Sequence, residues 1–301
     1  MKSIIELTSV TKQFGKTYAL RDVSFSIEAG QVVGFIGANG AGKTTTINAI
    51  LGFISPTHGS VKVFDSIVRP GSAHRLHARI GYAAGDMELP QRLTGAQFLS
   101  FVGHQTSGDH SKRLKDLCER FQPQLDKAIS DLSRGNKQKI ALIAAFMTSP
   151  ELILLDEPTS GLDPVMQDVF LDLIREEQAE GKTVFMSSHY LGEVTEVCSR
   201  VILMRGGEVI RDMTADEMLV GSGKSVKIVT GFAPTRPPNK ATNAKSEMVD
   251  GKRELSFVFR GSSSELQIWV AGIKQLQDIE ISEYNLEGIF KTLYETDGDD
   301  K

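Results

Sequence analysis

A glycine-rich stretch near the N-terminus has the residue types and spacing of a phosphate-binding loop. Residues Gly37–Thr44 read GANGAGKT, which matches the pattern G-x-x-x-x-G-K-[ST]. The glycines let backbone N–H groups turn inward around phosphates, because no Cβ stands in the way. Lys43 is placed to reach the terminal phosphates, and the hydroxyl of Thr44 or Thr45 suits Mg²⁺. The stretch predicts a bound nucleotide but does not say what its energy drives.

The flanking residues predict the elements that such a loop needs. Gln31–Ile36 is an apolar run that indicates a buried strand, and Thr44–Leu51 has the pattern of a helix. A helix that begins at the loop aims its N–H groups and the positive end of its dipole at the phosphates. The order strand, loop and helix favours a phosphate site over a chance match in a glycine-rich chain.

A second group of polar residues follows another apolar run. Leu152–Leu155 has the pattern of a buried parallel strand, and it ends in Asp156 and Glu157. If this strand lies beside the phosphate-loop strand, Asp156 is close to the Mg²⁺ and acts mainly through metal-bound water. Glu157 is then suited to orient or deprotonate an attacking water. The alternative, two solvated acids at a strand end, is the weaker reading beside a phosphate loop.

The segments around these residues resemble the ABC-type ATPases. Asp156–Pro164 resembles the Walker B motif and D-loop of that family, and Leu132–Lys139 resembles its signature motif. Ser187–His189 is similar to its switch histidine. Phe14 matches the aromatic position that stacks on adenine, with Tyr18 as the second candidate and core packing as the alternative for Phe14. The resemblance extends from residue 2 to about residue 215.

The resemblance implies a composite site across a dimer. Ser133 and Gly135 stand where a helix begins, so a serine oxygen and free N–H groups can bind the γ-phosphate of an ATP held by a second subunit. Glu157 and His189 are the implied catalytic residues, and Thr44 and Asp156 the implied Mg²⁺ ligands. The implied nucleotide-binding residues are Phe14, Gly37, Asn39, Gly40, Ala41, Gly42, Lys43, Thr44, Thr45, Ser133, Gly135 and Asp163.

The same resemblance implies an α/β fold of the P-loop NTPase class with two domains. The first, residues 1–221, would hold a mixed sheet, an antiparallel β subdomain and a helical subdomain at about 87–139. The composition shifts near residue 222, where Gly221–Lys224 and Ala233–Lys240 predict linker or loop. Residues 222–301 would form a small α+β domain, in which Ser262 and Glu265 give a capping-box signal.

The C-terminal stretch Asn285–Tyr294 is similar to the nucleotide-binding subunits of ABC-2-type transporters, which include exporters. This implies a homodimer or heterodimer on the cytoplasmic face of the cell membrane, under a separate transmembrane permease. Force would pass to the permease through the region 86–105, with core packing as the alternative role of its apolar residues. Those residues are Leu89, Leu93, Phe98, Leu99 and Phe101.

Composition argues against other partners. The net charge is −4, so no nucleic-acid footprint is expected. No segment approaches the roughly 20 apolar residues of a membrane span. Soluble ABC-type ATPases that act on ribosomes or DNA remain the alternative class, although those usually carry two nucleotide domains or long coiled-coil insertions.

Two positions depart from the family pattern. Arg134 replaces a glycine that many signature motifs carry, whereas the phosphate-facing positions Ser133 and Gly135 are retained. After Ile80–Ala84 the family usually has a glutamine that contacts Mg²⁺ and senses the γ-phosphate, and this chain has Gly85. Asp86 and Gln91 are the candidates to replace it. The departure predicts weakened metal coordination and slower hydrolysis, with ATP binding less affected.

Overall fold

The computed structural model describes residues 2–188, 190–231, 236–249 and 251–283. By their internal contacts the residues form two units, which divide between Met213 and Thr214. Within the described residues, none of the helices has both the length and the apolar composition needed to cross a bilayer.

The first unit is built from two sheets and their helices. Its strands are β1 (Ser3–Phe14), β2 (Thr17–Glu28), β3 (Val32–Ile36), β4 (His58–Val63), β5 (Ser66–Ile67), β6 (Ile80–Ala84), β7 (Leu152–Asp156), β8 (Thr183–Ser188), β9 (Arg200–Arg205) and β10 (Glu208–Thr214). Its helices are α1 (Lys43–Leu51), α2 (His74–His77), α3 (Gly95–Gly103), α4 (Ser111–Phe121), α5 (Arg134–Phe146), α6 (Pro164–Ala179) and α7 (Leu191–Val197), with a 3₁₀ turn at Ile129–Asp131.

The smaller sheet has the strand order β2-β1-β4-β5, and its long strands pair antiparallel. The side chains of β2 alternate between core and solvent, since Val23, Phe25 and Ile27 are buried and the serines between them are exposed. The ring of Phe25 lies 5.9 Å from that of Phe35 and 5.8 Å from that of Phe185, measured between centroids. One apolar core therefore connects this sheet to the strands that carry the phosphate loop and its neighbour.

The larger sheet has the order β10-β9-β3-β8-β7-β6. Strands β9, β3, β8, β7 and β6 run parallel, and every residue of β3, β7 and β8 is buried. Continuous apolar strands of this kind are covered on both faces, as predicted. Strand β10 returns beside β9 through the turn at Gly206–Gly207, where both φ values are positive. The sheet is therefore mixed.

The register of the larger sheet brings several strand ends together. Asp156, the last residue of β7, pairs with Ala84 of β6 and with Ser187 of β8. Ile36 of β3 pairs with Ser188 of β8. Because these strands are parallel, the loops that follow them leave the sheet at one edge. In parallel α/β sheets this carboxyl edge is where ligands bind.

The segment 87–139, predicted to be mostly helical, contains α3, α4 and the start of α5. Thr94 caps α3 through a reciprocal capping box with Gln97. The N-cap of α4 is His110, whose side chain makes no capping hydrogen bond, and Ser111 is the first helical residue. The carboxylate of Asp109 accepts the N–H of Ser111 instead, at 2.9 Å.

The second unit combines an antiparallel sheet with a helix. Its elements are α8 (Ala215–Ser222), β11 (Lys224–Thr230), β12 (Ala241–Val249), β13 (Lys252–Phe259), α9 (Ser263–Ala271) and β14 (Leu276–Glu283), and the strand order is β12-β13-β11-β14. Ser262 caps α9 with Glu265, as predicted. Trp269 of that helix lies edge-on against Phe257 with ring centroids 5.1 Å apart, so it is a core residue.

The boundary between the units differs from the predicted one. The predicted boundary after residue 221 falls inside α8, so Gly221 and Ser222 belong to a helix and not to a linker. The composition of those residues is that of a loop, but a capping box between Thr214 and Glu217 starts a helix that continues through them. The run Asn285–Tyr294 and part of the predicted 233–240 loop lie outside the described residues.

Candidate functional site

The phosphate loop connects β3 to α1 at the carboxyl edge of the larger sheet. Gly40 and Gly42 have φ values of 82° and 110°, which lie in the region that favours glycine. A Cβ on Gly42 would also lie 2.7 Å from the carbonyl oxygen of Ala19. Gly42 is the N-cap of α1, and no side chain caps that end of the helix. The first N–H groups of α1 are therefore left for a ligand, and an anion is the ligand they favour.

Lys43 is held at the centre of this loop. Its side chain is 5% exposed, and Nζ donates to the carbonyl oxygen of Gly37 at 2.7 Å and of Ala38 at 3.4 Å. Nζ also lies 3.3 Å from Oε1 of Glu157. The cation predicted to bind the terminal phosphates and the carboxylate predicted to act on water are therefore neighbours.

Asp156 is fixed by hydroxyl groups from the first turn of α1 and from the end of β8. Oγ1 of Thr44 donates to Oδ2 of Asp156 at 2.6 Å, and the hydroxyl of Ser187 donates to Oδ1. Asp156 is 6% exposed. Of the two threonines considered from the sequence, Thr44 makes the contact with the carboxylate. The orientation of the carboxylate is thus set by tertiary contacts.

The donor set at Thr44 and Asp156 fits Mg²⁺. This ion prefers oxygen ligands and is usually held by one or two carboxylates, with waters and substrate phosphates completing the shell. Within the described residues, no group of three or more His, Cys, Asp or Glu side chains could hold a metal by itself. One hydroxyl and one carboxylate, with phosphate oxygens of a nucleotide, would suit Mg²⁺. Bound there, Mg²⁺ would neutralise phosphate charge.

Glu157 is held in an unusual backbone conformation. Its φ is 52°, and its N–H donates to the carbonyl oxygen of Ser187 at 3.2 Å and to Oγ of the same residue at 3.1 Å. Left-handed φ values in non-glycine residues occur where the surroundings impose them, often at functional sites. The strand end next to β7 therefore fixes the backbone of the candidate base.

A cavity of about 630 Å³ lies over these side chains. Asn39 and Thr44 of the phosphate-loop region line it together with Asp156 and Glu157, so the structure brings these predicted site residues together. Tyr82 lines it too, and burial together with the charge of Asp156 raises the pKa of Tyr82 to about 12. The tyrosine hydroxyl is therefore a neutral hydrogen-bonding group at physiological pH.

Three predicted nucleotide-binding residues, Ser133, Gly135 and Asp163, do not line this cavity, although Ser160 of the D-loop segment does. Ser133 is the N-cap of α5, and its Oγ accepts the N–H of Asn136 at 3.3 Å. Asp163 is the N-cap of α6 and accepts the N–H of Met166 at 3.0 Å. Neither of these caps, nor Gly135, is among the residues that line the cavity. Within one chain the structure does not bring the two halves of the predicted site together.

The two candidate stacking residues both lie at the surface. Phe14 is 52% exposed and Tyr18 is 44% exposed, so a core role for Phe14 is wrong. Each ring has a cation near its face, since Nζ of Lys12 lies 4.9 Å from the centroid of Phe14 and the guanidinium of Arg21 lies 4.9 Å from that of Tyr18. The fold does not choose between them. His189 lies outside the described residues.

Gly85 is required by close packing. Its N–H donates to the carbonyl oxygen of Asp156 at 2.8 Å, and a Cβ at this position would lie 2.7 Å from the carbonyl oxygen of Glu157. A glutamine side chain could not be added here without moving the backbone that carries the candidate base. Of the two candidates to replace it, Asp86 lines the cavity, and the amide of Gln91 donates to the carbonyl oxygen of Leu89 at 2.9 Å.

Sequence reasoning missed the partners of Arg134. Its Nη2 donates to Oδ1 of Asp86 at 2.7 Å and to Oγ of Ser160 at 2.8 Å. The sequence does show that Arg134 and Gly85 both depart from the family pattern. Their spacing along the chain does not show that the two positions are close in the fold.

The five apolar residues of the region 86–105 differ in how far they are exposed to solvent. Leu89 is 4% exposed and Leu99 is 1% exposed, so both belong to the core, the alternative that the sequence left open. Leu93 and Phe98 are half-buried. Phe101 is 57% exposed, and it is the one of these five residues that offers a largely open apolar side chain.

The chain has relatives of known class along most of its length. A family profile described as ABC transporter matches residues 20–160. The ABC transporter ATP-binding protein NatA of Bacillus subtilis is 35% identical over 219 residues, which cover 69% of this chain and 88% of NatA. The bacitracin transport ATP-binding protein BcrA of Enterococcus faecalis is 30% identical and covers 72% of this chain and 71% of BcrA. The Nod factor export ATP-binding protein I of Sinorhizobium fredii is 28% identical and covers 96% of this chain and 85% of that protein.

Solved structures agree with the sequence relatives. An ATP-binding subunit of an ABC transporter superposes with a TM-score of 0.67 and 27% identity, covering 71% of this chain and 91% of that one. A dimeric, post-hydrolysis ATP-binding cassette bound to ADP and Pi superposes with a TM-score of 0.65 and 25% identity, covering 70% and 98%. Together with the phosphate loop and the acids at its edge, these likenesses show that the chain belongs to the ABC transporter family, as an ATP-binding subunit that hydrolyses ATP.

Proposed function

We propose that two subunits, identical or different, close around two ATP molecules, so that the phosphate loop of one faces the signature segment of the other. The observation that carries this proposal is the separation of Ser133, Gly135 and Asp163 from the cavity that holds Thr44 and Asp156. The caps are exposed and lie at helix N-termini, which suit an anion. A second subunit can present them to the γ-phosphate, as the dimeric cassette among the similar structures suggests.

Each residue of the phosphate-loop side then has a role in hydrolysis. Lys43 binds the terminal phosphates, and Thr44 and Asp156 would hold the Mg²⁺ that accompanies them. Glu157, 3.3 Å from Nζ of Lys43, accepts a proton from the attacking water. His189 contacts the γ-phosphate. Phe14 or Tyr18 stacks on adenine, and the remaining loop residues, from Gly37 to Thr45, enclose the phosphates with their backbone.

We further propose that the hydrolysis moves a substrate outward through a separate transmembrane permease. The support is that relatives are described as acting in bacitracin transport and Nod factor export. The subunit would then sit on the cytoplasmic face of the membrane, held there by the permease. Phe101, 57% exposed, is the side chain of the region 86–105 best placed to contact such a partner.

The decisive experiment replaces Glu157 with glutamine in the purified chain. We expect Glu157→Gln to lower kcat by about 10²–10⁴ because the base is lost. ATP binding should persist, and ATP with Mg²⁺ should now stabilise the dimer in size-exclusion chromatography because hydrolysis no longer opens it. Glu151→Gln is the matched control, since Glu151 lies at the opposite end of β7, paired with Arg79.

Two results would contradict the proposal. Unchanged turnover in Glu157→Gln would rule out Glu157 as the base, and a monomer at saturating ATP and Mg²⁺ would argue against the composite site. Transport itself is tested by co-purification from detergent-solubilised membranes, followed by identification of the bound permease. An ATPase that responds to ribosomes or DNA, with no membrane partner, would replace the transport proposal.

A further inference from the structure

One nitrogen of Arg134 connects three segments around the candidate site. Its Nη2 donates to Oδ1 of Asp86, in the turn after β6, at 2.7 Å, and to Oγ of Ser160, in the loop after β7, at 2.8 Å. Arg134 is itself the first residue of α5, next to the N-cap Ser133. The guanidinium therefore joins the start of the signature helix to two loops that leave the carboxyl edge of the sheet.

The loop that receives this contact carries Glu157. The N–H of Ser160 donates to the carbonyl oxygen of Glu157 at 3.2 Å. Glu157 has a φ of 52°, a conformation that a non-glycine residue keeps only where its surroundings hold it. Movement of Ser160 is therefore transmitted directly to the backbone of the residue proposed as the base.

Helix α5 holds the same loop at further points. The amide of Gln138, which is 3% exposed, donates to the carbonyl oxygen of Pro158 at 2.7 Å. A Cβ on Gly135 would lie 2.7 Å from the carbonyl oxygen of Gly161, so the helix backbone touches the loop. A Cβ on Gly161 would lie 3.2 Å from Cγ of Arg134. The first two turns of α5 thus contact the loop after β7 at several points. Of these contacts, the one made by Arg134 is exposed to solvent.

The turn after β6 is pressed against the other side of this loop. The N–H of Gly85 donates to the carbonyl oxygen of Asp156 at 2.8 Å, and there is no room for a side chain between Gly85 and Glu157. The next side chain, Asp86, is the first that can reach out of the turn, and it is the one that pairs with Arg134. Asp86 is therefore the residue that connects the turn after β6 to helix α5.

We infer that Arg134, paired with Asp86, is a positioning residue for ATP hydrolysis, an inference that rests on the proposed function. It holds Ser160 and thereby orients Glu157 toward the attacking water. The side chains of Arg134 and Asp86 are 59% and 88% exposed, and ion pairs this exposed contribute little to folding stability. Loss of the link should therefore slow the chemical step, because a small displacement of Glu157 lowers the rate of hydrolysis strongly.

The test compares Arg134→Ala, Asp86→Ala and the double variant in the full-length purified chain. We expect Arg134→Ala to lower kcat about tenfold, with KM for ATP changed by less than about threefold. Asp86→Ala should have a smaller effect. The double variant should be no slower than Arg134→Ala alone, because both substitutions remove the same link.

Two further variants separate positioning from folding. Arg134→Lys keeps a cationic donor and should recover most of kcat, which a purely structural loss would not require. Arg175→Ala is the matched control, because Arg175 is also an exposed arginine with two acidic partners, Asp172 at 2.7 Å and Glu196 at 3.2 Å. It should leave kcat unchanged.

Several outcomes would overturn the inference while leaving the proposed function intact. One is an unchanged kcat in Arg134→Ala, and another is a double variant whose losses in kcat are additive. A third is an increase in KM for ATP without a change in kcat, which would indicate that Arg134 contacts the nucleotide. Unchanged turnover in Glu157→Gln would instead refute the proposed role of Glu157, on which the inference rests.

Discussion

Two hydroxyl groups show how the two halves of the site differ. Thr44 donates to Asp156, a residue far along the chain that only the register of the larger sheet brings near. Ser133 accepts from Asn136, three residues away, and this contact needs nothing but the start of α5. The phosphate-loop half is thus assembled by tertiary structure, whereas the signature half is assembled by local helix capping.

The phosphate-loop half is a preorganised site, whereas the signature half is incomplete without a ligand from elsewhere. Asp156 and Lys43 are nearly inaccessible, and their side chains are already oriented by neighbours, so a ligand meets fixed charges. Ser133 and Asp163 are exposed helix caps, and each accepts an N–H from the first turn of its own helix. A helix N-terminus of this kind gains most from an anion delivered from elsewhere.

The largest effect should come from removing the fixed cation of the preorganised half. Lys43→Ala loses several charge-assisted hydrogen bonds to phosphate, so we expect ATP affinity to fall by about 10²–10³ and turnover to become undetectable. Titration with a fluorescent ATP analogue measures the affinity. Lys115→Ala is the control, since Lys115 is 76% exposed on α4. Retained affinity in Lys43→Ala would show that the loop backbone alone holds the nucleotide.

A smaller effect on kcat should distinguish the cap at Ser133 from the cap at Thr94. Ser133→Ala and Thr94→Ala each remove an N-cap side chain, so each should cost about 1 kcal/mol of stability. Only Ser133→Ala should also lower kcat, by about 10- to 100-fold, because only that cap is expected to face a phosphate. Thermal unfolding and steady-state ATPase measurements check both statements. Equal kinetic losses in the two variants would reduce Ser133 to an ordinary cap.

The smallest effect concerns the base of the nucleotide. Loss of an aromatic platform costs about 1–3 kcal/mol per stacked base, so either Phe14→Ala or Tyr18→Ala should raise KM for ATP by about 5- to 100-fold. The other variant should be nearly neutral. Because stacking requires the base, the affinity for inorganic triphosphate should not change in either variant. Neutral results in both would place the adenine elsewhere.

Much of the preorganised half could be predicted from the sequence, because its pattern is local. The glycines, Lys43 and Thr44 follow one another in a single loop, and the apolar run before Asp156 predicts the strand that carries the acids. Parallel strands with buried faces then place both groups at one edge. The choice of Thr44 over Thr45 needed the structure, because it depends on strand register and not on spacing.

Other features could not be predicted, because they depend on contacts between distant segments. No periodicity relates Asp86, Arg134 and Ser160, which lie on two loops and at the start of a helix. The tight space at Gly85 is likewise a property of the packed backbone. The prediction of a linker at Gly221–Lys224 was wrong because Gly221 and Ser222 have the composition of a loop, whereas the cap at Thr214 starts a helix that includes both.

The packing of Trp269 gives the protein a built-in spectroscopic reporter. It is the chain's only tryptophan, and it lies against Phe257 with its indole N–H donating to the carbonyl oxygen of Arg236 at 3.2 Å. Tryptophan emission therefore reports the second unit alone, while far-ultraviolet circular dichroism reports the whole chain. Denaturant titrations followed by the two signals can assign each unfolding transition to its unit, without a label or a truncation.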